Sequence, residues 1–92
     1  MDEATALALA EGVSVQQLGE EEGAVVLRFD SGQLYTCNDT TAEVLRLVAP
    51  GTSFGALIAA LLAIFEVEDA ELRADIAAIL GELSREGLVR IG

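Results

Sequence analysis

Few residues in this 92-residue chain are of types that do chemistry, and their spacing gives them little to work with. Cys37 is the single thiol, and a thiol becomes a nucleophile when a base or a nearby cation favours the thiolate. The chain has no histidine to act as that base, to activate a serine or to ligate a metal. Cys37 therefore reads as a small core residue. Glu20, Glu21 and Glu22 are consecutive between Gly19 and Gly23. Calcium asks for a spaced array of ligands, so this is a solvated charge run on a loop. Gly12, Gly19, Gly23 and Gly32 match no phosphate-cradling spacing. The expectation is a protein that binds rather than catalyses, with no metal and no cofactor.

What remains is the chemistry of the main chain. Gln33-Leu34-Tyr35-Thr36-Cys37 reads as the third strand of an antiparallel meander, paired on one side and free on the other. Native edges are blunted by lysine, proline, a bulge or a covering element, because an open ladder recruits other strands. This strand carries neither charge nor proline. Three outcomes fit it. An extended peptide adds there through main-chain hydrogen bonds, with pockets for alternate side chains; or Val89–Ile91 covers the edge; or two copies of the chain pair through it.

Charge narrows the partners. Five Lys and Arg against sixteen Asp and Glu leave a net of −11. Such a surface repels phosphate, so nucleic acid and anionic membranes are excluded as expected partners. The longest apolar run, Ala56 to Phe65, falls far short of the ~20 residues that cross a bilayer. The chain opens without the pattern of a secretory leader, so the cytoplasm is the expected compartment.

The elements that position this edge follow from periodicity. Residues 1–11 are Ala- and acid-rich and are expected to be a flexible, frayed start; residues 12–91 form the domain. Val13 and Val15 alternate with polar neighbours, and Val25, Leu27 and Phe29 alternate with Ala24, Val26 and Arg28, giving two strands before Gln33–Cys37. Asp30-Ser31-Gly32 makes the tight turn between the second and third. Asn38 or Thr40 caps a first helix that Pro50-Gly51 stops, and Ser53 caps a second reaching about Phe65. A third helix starts near Asp69 and ends before Gly87, and Val89–Ile91 adds a short final strand. Strands followed by three helices imply an α+β fold with the helices on one sheet face. The third helix carries Asp69, Glu71, Asp75, Glu82 and Glu86 against Arg73 and Arg85, which is the wrong charge for a DNA-recognition helix.

The hairpin Asp30-Ser31-Gly32-Gln33-Leu34-Tyr35-Thr36-Cys37-Asn38 resembles the D-x-G-x-x-Y-x-L-N hairpin of PqqD-like proteins. The helix Ala42–Val48, the Ser53–Leu62 helix, the Phe65-Glu66-Val67-Glu68-Asp69 junction and the Glu86-Gly87-Leu88-Val89 ending follow in that family's order, so the likeness runs from about residue 12 to 91. Cys37 stands where the family has Leu, and Asp69 where Pro often opens the helix. The Trp and L-x-P-E stretch of the pyrroloquinoline-quinone members is absent, and the chain looks more like the stand-alone recognition proteins of lasso-peptide clusters.

The resemblance implies a winged-helix-like domain, a three-stranded antiparallel sheet followed by three helices. It also implies capture of a ribosomal precursor's leader peptide as an added strand, in the groove between the third strand and the third helix. The leader is then presented to modifying enzymes, here a leader peptidase and a cyclase. On this basis Leu34, Tyr35, Thr36 and Cys37 form one side of the site. Arg73, Ile76, Ala77 and Leu80 are the residues expected from the third helix. Two other classes stay open: a structural module that homodimerises through the same edge, and an acidic mimic of nucleic acid.

Overall fold

Along the chain run β1 (Ala6–Leu9), β2 (Val13–Gly19), β3 (Gly23–Arg28), β4 (Leu34–Cys37), α1 (Asp39–Val48), β5 (Thr52–Ser53), α2 (Phe54–Leu62), α3 (Asp69–Arg85) and β6 (Val89–Ile91). This is the course of a computed structural model that describes residues 1–19 and 22–92; Glu20 and Glu21 of the acidic run lie outside the described residues.

The alternation in β2, β3 and β4 builds the expected meander, in the order β2-β3-β4. Ala24 and Val26 are buried on its inner face, and Tyr35 and Cys37 join them there, packed against the core. Gly32 turns the β3–β4 hairpin with φ of +70°, a conformation in which a Cβ is strained. The ladder then fixes which backbone groups are free. The Arg28 amide donates to the Gln33 carbonyl at 3.0 Å, and the register continues through Val26↔Tyr35 and Ala24↔Cys37. Hydrogen-bonded pairs alternate along an antiparallel ladder, so Tyr35 and Cys37 are bonded to β3 while the N–H and C=O groups of Leu34 and Thr36 point away from it.

Helix ends follow their capping residues. The Thr41 amide donates to Asn38 Oδ1 at 2.9 Å, which makes Asn38 rather than Thr40 the cap of α1. The Ala56 amide donates to Ser53 Oγ at 3.2 Å and starts α2. That helix ends at Leu62, before the expected Phe65, and a turn continues from it as the Phe65 amide donates back to the Leu61 carbonyl. Gly87, with φ of +76°, follows α3, and the Leu88 amide closes onto the Leu83 carbonyl at 2.9 Å. The apolar stripes Val44-Leu45-Val48, Leu57-Ile58-Leu61 and Leu72-Ile76-Leu80-Leu83 meet over Val26 in one core.

The opening residues depart from expectation. Instead of fraying, Ala6–Leu9 form the middle strand of a second antiparallel sheet, ordered β5-β1-β6. Leu7 is the reason, since it is buried in the core with β6 on one side and β5 on the other. Main-chain bonds extend the tie, from the Phe54 amide to the Thr5 carbonyl and from the Gly55 amide to the Glu3 carbonyl. The fold is α+β with two small sheets rather than one. Val89–Ile91 is therefore occupied by β1 and does not cover β4.

Candidate functional site

A cleft of about 260 Å³ runs beside β4. Tyr35, Thr36, Cys37 and Asn38 form one wall, with Thr41 from the first turn of α1. Glu82, Leu83 and Glu86 of α3 form the other, with Leu88 from the turn that follows. Its β4 wall carries the unpaired Leu34 and Thr36 backbone groups. A strand laid against them would send alternate side chains inward beside Tyr35 and Cys37, and outward beside Leu34, whose side chain is 64% exposed.

One end of the cleft is clasped by Arg28. This residue shares the inner face of β3 with Ala24 and Val26, and its Nη1 donates to the backbone carbonyl of Glu86 at 3.1 Å. Its Nη2 donates to Asp30 Oδ2 at 2.9 Å, so the guanidinium is countered within its own hairpin. The Asp30 hydrogen bond is the main reason the Arg28 pKa is raised, with the Tyr35 side chain adding to it. In return that bond holds the Asp30 carboxyl below its ordinary value. Cys37 is half-buried and burial alone pushes its thiol up, which makes it less thiolate-like and a poorer nucleophile.

The α3 residues named from sequence fall elsewhere. Ile76 and Leu80 are fully buried in the core, at 0% exposure, and have no surface to offer a ligand. Arg73 forms ion pairs with Glu3 and Asp69 and lies 5.9 Å from the centre of the Phe54 ring, where β1 and α2 meet α3. Ala77 is half-buried and does not line the cleft. The reason is rotational. A helix turns about 100° per residue, so Arg73, Ala77 and Ser84 flank the Leu72-Ile76-Leu80-Leu83 stripe on one side, and Glu82 and Glu86 flank it on the other. Both flanks obey the same period, and β4 docks beside the second. Glu82, Leu83 and Glu86 line this cleft and Arg28 contacts its rim, and none of the four was among the residues expected from the sequence, although Arg28 could have been found from its inward position in the Ala24-Val26-Arg28 alternation.

A larger cleft of about 590 Å³ lies at the far end of the meander, among Gln17, Gly23, Ala42, Glu43, Arg46 and Phe65. The Arg46 side chain is bonded there to Glu43, and the Gln17 side-chain Nε2 donates to the Ala42 carbonyl. The β2 edge breaks register as it reaches this end, between Gln17 and Gly19, so it offers a shorter run of open ladder than its length suggests. Among the described residues no helix is long and apolar enough to cross a membrane, and no group of acidic or thiol side chains has the arrangement of a metal site.

The family model of coenzyme PQQ synthesis protein D (PqqD) matches residues 23–89. Among solved structures, a lasso peptide synthetase B1 complexed with the leader peptide is 30% identical with a TM-score of 0.77, covering 91% of this chain and 96% of that one. TbiB1 in complex with the TbiA(beta) leader peptide is 17% identical with a TM-score of 0.76, covering 88% and 93%, and speaks for the fold alone. No curated protein matches the chain.

Proposed function

Since the chain belongs to the PqqD family, we propose that it captures the leader segment of a ribosomally made precursor peptide as a fourth strand on β4, and presents it to the enzymes of a lasso-peptide pathway. The observation that carries this is the open β4 edge facing α3 across a cleft: β6, the one element expected to cover it, is paired to β1 instead. A likeness of 30% over nearly the whole chain to a protein that holds a leader peptide supports the same ligand class. The site on this reading is Leu34, Tyr35, Thr36 and Cys37 opposite Glu82, Leu83 and Glu86.

No catalytic step is assigned to the chain. Cys37 is the one thiol, and burial raises its pKa, which suits a wall rather than a nucleophile. A leader peptidase and a cyclase are the partners such a presenter serves. The cytoplasm, where ribosomal precursors are made, is where it would meet them.

The test is a titration of a fluorescently labelled leader from the precursor gene nearest this one, followed by anisotropy. Saturable binding at micromolar or lower protein, lost on scrambling the leader, supports capture. A folded protein that ignores every local precursor yet self-associates would instead make β4 a dimer edge.

A further inference from the structure

The cleft beside β4 is apolar at its base and acidic along its helix wall. Leu83 and Leu88 are buried beneath it, while Glu82 and Glu86, one turn apart, are exposed at its rim. Among the described residues neither carboxylate takes part in an ion pair. Two cations stand near that end of the cleft. Arg28 is already countered by Asp30 and spends its other bond on the Glu86 main-chain carbonyl. Arg85, in the last turn of α3, lies back beside Gly81 and forms no ion pair with either glutamate. Glu82 and Glu86 also sit at the C-terminal end of α3, where the helix's own partial negative charge adds to theirs. A strand placed on β4 therefore meets two uncompensated negative side chains on one side, within a molecule whose net charge of −11 draws cations from a distance.

We propose that this cleft selects a basic leader segment: an inward-facing Lys or Arg of the added strand lays its aliphatic stem on Leu83 and carries its charge to Glu82 and Glu86. Long basic side chains suit such a site, because the stem covers apolar surface while the head stays with the carboxylates. The next inward position, two residues along the strand, faces Tyr35 and Cys37 and takes an apolar side chain. The pattern sought is thus basic-x-apolar or its reverse. The proposal rests on leader capture at β4 and goes beyond it by naming what the leader must carry.

The experiment uses a library of randomised twelve-residue peptides displayed on yeast. It is sorted with the full-length protein, with the double variant Glu82→Lys/Glu86→Lys, and with the control double variant Glu66→Lys/Glu68→Lys. The two variants change the net charge equally, but Glu68 precedes Glu82 by about 20 Å along α3. Far-ultraviolet circular dichroism confirms that each protein is folded. With wild type and with the control, Lys and Arg are expected to be enriched about fivefold at one position next to an alternating apolar residue. With Glu82→Lys/Glu86→Lys that preference is expected to turn to Asp and Glu. An apolar alternating pattern with Lys and Arg at their input frequency would keep strand capture and overturn the charge selection. Basic preference lost equally in the control would also overturn it, since bulk charge would then be the cause. No enrichment with any folded protein would remove capture itself, and the proposal with it.

Discussion

Replacing Thr36 by proline should weaken leader binding while leaving the fold in place. The Thr36 N–H points out from β4, because the ladder to β3 is carried by Tyr35 and Cys37. Proline removes that outward donor without removing a β3–β4 bond, and proline is tolerated where an edge N–H faces solvent. The peptide carbonyl opposite it would be buried without a partner, at about 1–3 kcal/mol, roughly a 5- to 150-fold rise in Kd. Thr36→Ala keeps the donor and trims an exposed side chain on the outer face, so about a twofold change or less is expected. Anisotropy titration of the two variants with one labelled leader gives the ratio, and thermal unfolding shows whether both are folded. Equal losses for proline and alanine in two folded proteins would refute pairing through the β4 backbone.

Other consequences can be checked as simply. Ile76→Ala or Leu80→Ala removes a fully buried side chain and should cost about 2–5 kcal/mol of stability, seen as a fall in Tm, with leader affinity of the folded fraction little changed. Gly23→Ala should destabilise far more than Gly32→Ala. Both glycines have positive φ, but an added Cβ at Gly23 would lie 1.9 Å from the Cys37 carbonyl oxygen, whereas at Gly32 it meets open space. Comparative melts of the two isolate the clash. Cys37 should react more slowly with a thiol reagent than free cysteine does at pH 8, because a raised pKa leaves less thiolate at every pH below it. Its rate should keep climbing after that of free cysteine levels off, and leader peptide should slow it further. Timed alkylation across pH, with and without peptide, reads both effects.

Much of this fold is legible in the sequence, for identifiable reasons. Alternation in Ala24–Phe29, the Asp30-Ser31-Gly32 turn and the Asn38 and Ser53 caps are local signals, and the structure uses each of them. The PqqD-like hairpin motif reads the family correctly. Long-range pairing is harder. Ala6–Leu9 is four residues long and carries no turn signal, so its place between β5 and β6 depends on partners some 45 and 80 residues away that no local pattern announces. The candidate site divides in the same way. Its β4 half could be read from a strand without charge or proline. Its α3 half required knowing on which side of the Ile76–Leu80 stripe the sheet docks, and helical periodicity is symmetric about that stripe.

Amide hydrogen exchange resolved by residue, with and without the leader peptide, tests strand addition most directly. Tyr35 and Cys37 amides are bonded to β3 and should be protected in the free protein, whereas Leu34 and Thr36 amides face outward and should exchange quickly. Saturating leader is expected to slow Leu34 and Thr36 selectively, by the factor its affinity sets. Saturable binding that leaves those two amides fast, or that protects β2 instead, would contradict capture on β4.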